Sequence, residues 1–287
     1  MFIHLKDVSY TYNLNMPFET VALKGINLKV NRGEFIGIIG HTGCGKTTLL
    51  QLLNGLIEPT KGQIFIENVD IHKNKKKLKE IRKKIGLSFQ YPENQFFEEN
   101  IFKEIAFGPK NMGVAEEQLV QSVKKSLQMV DMDYQSFKDR SPFSLSGGEM
   151  RRVAIASILA IDPEVIILDE PTASLDPQSC SKLLSVIVEL YQKYHKTIIM
   201  VSHNMEIMAK LARRIIVMEK GEIIMDDTPR NIFQKSIDKL EDIGLSLPQV
   251  TYTMYKLKKI GKPVSSGILT VEEAKEEILK LVNENKK

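Results

Sequence analysis

The chain has few cysteines, no long apolar run and little excess charge, and each shortage narrows what it can be. Two cysteines among 287 residues are too few for a disulfide framework, which favours a reducing cytoplasm. No apolar run approaches the ~20 residues that a membrane-spanning helix needs, and no signal peptide is predicted at the N-terminus. A net charge of +4 is too small to indicate nucleic-acid binding by itself.

The apolar runs that are present predict an α/β fold with a mixed, mostly parallel sheet. Short runs rich in β-branched residues are typical of buried strands, and here they alternate with helical patterns. This alternation favours a parallel sheet with helices on its faces. The predicted strands cover residues 2–8, 26–30, 35–39, 62–67, 165–168, 197–201 and 215–218.

Two regions lack strand signals and are predicted to be helical. Within about 98–162, apolar residues recur at spacings of three and four, which indicates an inserted helical subdomain. Residues 227–287 are predicted to form an appended C-terminal region of two or three short helices. Thr270 and Glu273 have the capping-box spacing that would start the last of these helices.

The run KNKKKLKEIRKK, residues 73–84, is strongly basic. A solvated helix face is the default interpretation of such a run. Attraction to anionic lipid headgroups is the alternative.

A phosphate-binding loop is predicted at residues 40–47, GHTGCGKT, which fit G-x-x-x-x-G-K-[ST]. The loop follows the buried strand at 35–39 and precedes a segment that can open a helix, which is the context that the motif requires. Glycines let backbone N–H groups surround phosphate oxygens, and a helix N-terminus adds positive potential. Lys46 would reach the β- and γ-phosphates, and Thr47 would ligate magnesium. The predicted nucleotide contacts here are Gly40, His41, Thr42, Gly43, Cys44, Gly45, Lys46, Thr47 and Thr48.

A pair of carboxylates ends the strand VIILDE at residues 165–170. Asp169, at the carboxyl edge of the sheet near the phosphate loop, is predicted to hold magnesium through water. Glu170 is predicted to orient or deprotonate the attacking water.

A second anion-binding nest is predicted where Ser146, Gly147 and Gly148 open a helix. One nucleotide needs one phosphate loop, so this nest could serve a nucleotide held by another subunit.

The phosphate loop and the run LSGGE at 145–149 together resemble the ABC-type ATPases, the nucleotide-binding subunits of transporters. The resemblance covers residues 1–226 as the ABC ATPase domain, with a P-loop NTPase core. It implies that Ser146, Gly147, Gly148 and Glu149 contact nucleotide as the signature motif.

The same resemblance implies roles for four further residues. Gln90 matches the glutamine that contacts magnesium and faces the membrane partner, and Asp176 matches the D-loop at the dimer interface. His203 matches the switch histidine at the γ-phosphate, which would act in catalysis with Glu170 and Lys46. Tyr12, rather than Tyr10, matches the aromatic that stacks on adenine. Each has an ordinary alternative, since a strand tyrosine or a histidine often serves packing alone.

A narrower resemblance is to the energy-coupling factor (ECF, or CbiO-type) ATPases, and within them to the A-prime paralogue. The segments at 91–98, 105–109 and 244–248 carry it, together with the long run from 144 to 177. Glu149 departs from the Gln that is common in the signature, and Ser174 departs from the Gly that is frequent in this subfamily. Neither change removes a catalytic group.

The resemblance implies an ATP hydrolase coupled to transport that uses ATP and Mg²⁺. Its partners would be a second ABC ATPase, as heterodimer or homodimer, an integral membrane coupling protein and a separate membrane substrate-binding protein. The complex would take up vitamins or metal cations, with this chain peripheral on the cytoplasmic face of the cell membrane and no nucleic acid bound.

Two other functions compete with a transport motor. A soluble ABC ATPase acting on DNA or ribosomes would have long coiled coils or tandem ATPase units, and neither is visible here. A weakly hydrolytic regulatory subunit is disfavoured because Lys46, Asp169, Glu170 and His203 are all present.

Overall fold

The structure is a computed structural model that describes residues 1–73, 75–91 and 96–284. The strands are β1 (Ile3–Tyr12), β2 (Thr20–Val30), β3 (Phe35–Gly40), β4 (Lys61–Ile66), β5 (Val69–Asp70), β6 (Ile85–Ser88), β7 (Val165–Asp169), β8 (Thr197–Val201), β9 (Arg214–Glu219) and β10 (Glu222–Asp227). The helices are α1 (Lys46–Asn54), α2 (Lys75–Lys84), α3 (Ile101–Asn111), α4 (Glu116–Met129), α5 (Tyr134–Phe137), α6 (Gly147–Leu159), α7 (Pro177–Gln192), α8 (Met205–Leu211), α9 (Pro229–Lys235), α10 (Ile237–Asp242), α11 (Gln249–Lys259) and α12 (Val271–Glu284).

The central sheet has six strands in the order β10-β9-β3-β8-β7-β6. The pairs β9–β3, β3–β8, β8–β7 and β7–β6 are parallel, and β10 is an antiparallel edge strand. Strands β3, β7 and β8 are buried along their whole length, which explains why the sequence shows them as continuous apolar runs. The predicted α/β fold with a mixed, mostly parallel sheet is confirmed.

The two faces of this sheet belong to two apolar cores, because neighbouring strand residues point to opposite sides. In β7, Ile166 and Leu168 pack in the core with the helices of residues 101–159, whereas Val165 and Ile167 pack in the other. This second core is shared with α1 and with an antiparallel sheet of order β2-β1-β4-β5. The prediction of helices on the faces therefore misses a second sheet.

The region predicted as a helical insert contains α3 to α6. Leu119, Val123 and Leu127 on α4 are buried, in agreement with their helical spacing. The side chain of Asn100 caps α3 by accepting a hydrogen bond from Lys103 N at 2.9 Å. The division of the chain into domains stays a prediction.

After β10 the described chain has four helices, α9 to α12, so the prediction of two or three is wrong. The short α9 and α10 pack into the core that contains the helices of residues 101–159, here called the main core, whereas α11 and α12 share a small cluster around Met254. Thr270 Oγ1 accepts from Glu273 N at 3.2 Å as predicted, and the Glu273 carboxylate accepts from Leu269 N at 2.8 Å.

The basic run at 73–84 includes α2. Asn74 and the side chains at 75–77 and 79 lie outside the described part of the chain. Across the described residues, no helix combines the length and apolar character that crossing a membrane requires.

Candidate active site

The phosphate loop joins the end of β3 to the start of α1, as its motif predicts. Gly43 and Gly45 have left-handed backbones, with φ of 82° and 101°. A Cβ on Gly45 would lie 2.5 Å from the carbonyl oxygen of Ala22, so only glycine fits there. The loop therefore turns tightly enough to aim the first amides of α1 at a bound anion.

Lys46 is buried at the loop, where its ammonium donates to the carbonyls of Gly40 at 2.7 Å and His41 at 2.8 Å. Phosphate oxygens would compete with these carbonyls for the same N–H groups. The ammonium of Lys46 therefore lies within the loop that is predicted to hold the phosphates.

A cavity of about 330 Å³ lies beside this loop and brings most of the predicted site together. Its predicted members are Tyr12, Thr42, Gly43, Gly45, Lys46, Thr47, Thr48, Gln90, Asp169, Glu170 and His203. Gly40, His41 and Cys44 do not line it. Cys44 is buried behind the loop, and burial raises the pKa of its thiol.

Sequence reasoning missed Thr20, Val21 and Ala22, which line the same cavity at the start of β2. They reach it because Tyr12 pairs with Thr20 across the β1–β2 ladder. The predicted strand began only at residue 26, so the signal that could have found them is the full length of this hairpin.

The side chains predicted to bind Mg²⁺ lie close together near the end of β7. Thr47 Oγ1 donates to Asp169 Oδ2 at 2.9 Å, and Gln90 lines the same cavity. Burial raises the pKa of Asp169, while the Thr47 hydrogen bond and the Lys46 charge oppose that rise. A hydroxyl, an amide oxygen and a carboxylate are hard ligands that fit Mg²⁺.

Glu170 is buried, and its backbone is left-handed with φ of 48°. Its Oε2 accepts from His203 N at 3.3 Å, and the His203 Nε2 atom lies 3.3 Å from Oε1. That approach lacks hydrogen-bond geometry, so Oε1 has no hydrogen-bond partner among the described residues. Burial raises the pKa of Glu170, and the Asp169 charge adds to this against the opposing effect of His203. An unsatisfied buried carboxylate oxygen suits a water molecule that must be oriented.

Tyr12 lines the cavity, and its hydroxyl forms a 3.0 Å hydrogen bond with Thr48 Oγ1. Tyr10 packs edge-on against Tyr12 at 4.8 Å between ring centroids and against the second core. Of the two tyrosines, only Tyr12 lines this cavity.

The predicted signature residues lie apart from this cavity. Ser146 is the N-cap of α6 and forms a capping box with Glu149, whose Oε2 accepts from Ser146 N and Oγ, each at 2.8 Å. Burial opposes ionisation of Glu149, but these hydrogen bonds and the charges of Arg140 and Arg152 together lower its pKa. Asp176 caps α7 and accepts from Gln178 N at 3.0 Å. None of these residues lines the cavity beside the phosphate loop.

Arg151 was not predicted, yet it connects three parts of the site. It lies on α6, is 5% exposed, and donates to the carbonyl oxygens of Gln90 and Ala173, the latter at 3.4 Å. Ala173 N in turn donates to Glu170 O at 3.1 Å.

The predicted match at 91–98 includes residues 92–95, which lie outside the described residues.

A buried carboxylate beside a histidine at the phosphate loop, and a second helix N-terminal nest held away from the first, are the arrangement expected of an ABC-type ATPase cassette. The ABC transporter family model matches residues 23–173. Two curated relatives, from Clostridium tetani and Clostridium perfringens, are 50% identical over 99% of this chain and 98% or 100% of their own length. Both are named energy-coupling factor transporter ATP-binding protein EcfA2.

Solved structures agree with this. CbiO1 from Clostridium perfringens, part of the ABC transporter complex CbiONQ, is 33% identical with a TM-score of 0.74 over 88% of this chain and 98% of that one. The ATP-binding cassette MJ0796, a dimer in a post-hydrolysis state bound to ADP and phosphate, is 30% identical with a TM-score of 0.71 over 79% of this chain and 98% of its own. The chain belongs to the ABC transporter family and, within it, to the ECF transporter ATP-binding proteins. The ECF assignment from sequence is confirmed, and with it an ATP-hydrolysing subunit of an ATP-driven transporter.

Proposed function

We propose that this chain binds Mg-ATP and hydrolyses it in a composite site that a second ATPase subunit completes. The observation that carries the proposal is the separation of the two phosphate nests. Lys46 lines the cavity beside the phosphate loop, whereas Ser146 and its neighbours do not. Because the Ser146 nest does not line the nucleotide cavity of its own chain, it is free to bind a phosphate of the nucleotide that a partner subunit holds.

In this site the chain's own groups do the positioning and charge stabilisation on which phosphoryl transfer depends. Lys46 and the loop amides would hold phosphate oxygens. Glu170 would orient the attacking water through Oε1 and take up its proton, and His203 would contact the γ-phosphate. Tyr12 would stack on adenine.

Thr47, Gln90 and Asp169 would hold the magnesium ion. When bound, the ion supplies positive charge that neutralises the phosphate oxygens. The 2.9 Å hydrogen bond between Thr47 Oγ1 and Asp169 Oδ2, which holds two of these oxygens next to each other, supports this assignment.

The ECF family membership supports a larger assembly. Its parts are a second ABC ATPase, identical or paralogous, an integral membrane coupling protein and a separate membrane protein that binds a vitamin or a metal cation. Residues 146–149 and Asp176 would face the partner ATPase, and Gln90 would face the coupling protein. The chain would lie on the cytoplasmic face of the cell membrane as a peripheral subunit.

The variant Glu170→Gln tests the catalytic assignment in the complex purified from native membranes. We expect ATP binding to persist and turnover to fall about 100-fold or more, because a positioned base contributes 10²–10⁴-fold. Glu164→Gln is the matched control, since Glu164 precedes β7 at its other end and pairs with Arg32. Near-native hydrolysis by Glu170→Gln would refute the role of Glu170.

The assembly is tested by mass spectrometry of what copurifies with the tagged chain after gentle solubilisation. A second ABC ATPase with a polytopic coupling protein is the expected result. A conventional two-domain permease in their place would contradict the proposed partners.

A further inference from the structure

Residues 243–249, here called the C-terminal linker, run from the end of α10 to the first residue of α11 and lie against the phosphate loop. Leu245 and Leu247 anchor the linker in the main core. His41 Nε2 donates a hydrogen bond to the carbonyl oxygen of Ile243. One side chain of the phosphate loop is therefore committed to the C-terminal region instead of the nucleotide cavity.

Gly244 makes this contact close. Its backbone is left-handed, with φ of 68°, and a Cβ added there would lie 3.2 Å from both Cε1 and Nε2 of His41. Any side chain at 244 would push against the imidazole ring. A side chain at 244 would therefore require the His41 ring to shift by a few tenths of an ångström, in addition to the strain of the left-handed backbone.

The linker also reaches the opposite side of the catalytic residues. Gln249 N donates to Glu206 Oε1 at 3.0 Å, and Glu206 lies in the first turn of α8, just after His203. A second cavity, of about 730 Å³, is lined by Glu170 and His203 and also by linker residues Ser246, Leu247 and Gln249. The linker therefore contacts the phosphate loop at His41 and also lines a cavity that contains Glu170 and His203.

The backbone of His41 is also hydrogen-bonded to Lys46, the residue proposed to bind the phosphates of ATP. Its carbonyl oxygen accepts from the Lys46 ammonium at 2.8 Å and from Cys44 N at 3.2 Å. A phosphate group that draws Lys46 toward itself acts directly on the residue whose ring holds Ile243.

We propose that His41 is a positioning residue that couples the C-terminal linker to ATP binding. The inference rests on the proposed nucleotide site. Coupling between two sites is reciprocal, so a change in the linker must alter ATP affinity by the same factor by which ATP alters the linker. The C-terminal region would in this way sense, and tune, nucleotide occupancy of the phosphate loop.

The test is fluorescent-nucleotide titration of the full chain with Gly244→Ala, using Gly261→Ala as the matched control. Both glycines have left-handed backbones and follow C-terminal helices, Gly244 after α10 and Gly261 after α11. A Cβ on Gly261, however, meets no described atom within 4 Å. We expect Gly244→Ala to weaken ATP binding about fivefold or more, within the usual range of coupling, and Gly261→Ala to leave it unchanged. In a His41→Ala background the Gly244→Ala effect should vanish, because the ring it meets is gone.

Hydrogen exchange of the peptides that cover 243–249 provides the reciprocal measurement. ATP should slow their exchange in the native chain and not in His41→Ala. The coupling would be overturned, and the nucleotide site retained, if Gly244→Ala and Gly261→Ala changed ATP affinity equally. The same conclusion would follow if hydrogen exchange in the linker were the same with and without bound ATP. Failure of the native chain to bind ATP would instead overturn the nucleotide site, and the coupling with it.

Discussion

Replacing Arg151 with methionine should destabilise the fold and slow hydrolysis together. Methionine keeps much of the apolar stem but removes the guanidinium that donates to the carbonyls of Gln90 and Ala173. Each of these partly buried carbonyls that is left without a donor costs up to about 1–3 kcal/mol. Because such costs are rarely additive, the total should be about 2–4 kcal/mol.

The loss should be visible as a lower melting temperature. For a chain of this size each kcal/mol corresponds to about 2 °C, so the expected shift is about 4–8 °C by calorimetry or circular dichroism. Arg152→Met is the matched control on the same helix, because Arg152 makes an exposed hydrogen bond to Asp131 O and should cost less than about 1 kcal/mol.

The same variant should also lower turnover, measured at a temperature where the folded fraction equals that of native protein. Arg151 holds the carbonyl of Gln90 and, through Ala173, the turn after Glu170. If the Gln90 backbone or the turn after Glu170 shifts, a side chain of the site moves out of its reactive position, and turnover should fall. A melting temperature within 1–2 °C of the native value, estimated on the same scale, would refute the reasoning.

Two further predictions concern titration and packing. Burial raises the pKa of Glu170, so hydrolysis should fall as pH drops through a value above the ordinary glutamate range. Since the folded state binds the Glu170 proton more tightly than the unfolded state, the protein loses stability as pH rises and Glu170 ionises. Glu170→Gln should therefore have a melting temperature no lower than that of native protein at neutral pH. A lower melting temperature would contradict this. A Cβ on Gly148 would lie 2.7 Å from the Ser179 Cβ, so Gly148→Ala should cost about 1–3 kcal/mol, and Ser179→Gly should recover part of it in thermal melts. No recovery would show that the cost has another origin.

The parts that the sequence predicted well are those set by local chemistry. Residues 40–47 predict the phosphate loop because glycine freedom, a preceding strand and a following helix are all short-range properties. The buried strands β7 and β8 stand out because burial on both faces leaves a continuous apolar run.

What could not be predicted depends on long-range packing. Strand β6 is short, and Gly86 weakens its pattern; the glycine is needed because a Cβ there would lie 2.0 Å from Ile158 Cγ2 on α6. Likewise Arg151 reads as an ordinary surface cation of an amphipathic helix until α6 is packed against the segment after β6. The contact between His41 and Ile243 joins residues far apart in the chain, so no local pattern encodes it.

The contacts within the site indicate why a second subunit should control the reaction. Lys46, Thr47 and the Ser146 hydroxyl each have an internal acceptor, respectively loop carbonyls, Asp169 and Glu149. Binding of Mg-ATP therefore exchanges hydrogen bonds rather than adding them, and an exchanged hydrogen bond contributes only about 0.5–1.5 kcal/mol. In the proposed composite site the larger gains would come from charge neutralisation and from burial of the nucleotide between subunits, which requires closure. Hydrolysis that waits for closure is what an ATPase coupled to movement of a membrane partner needs.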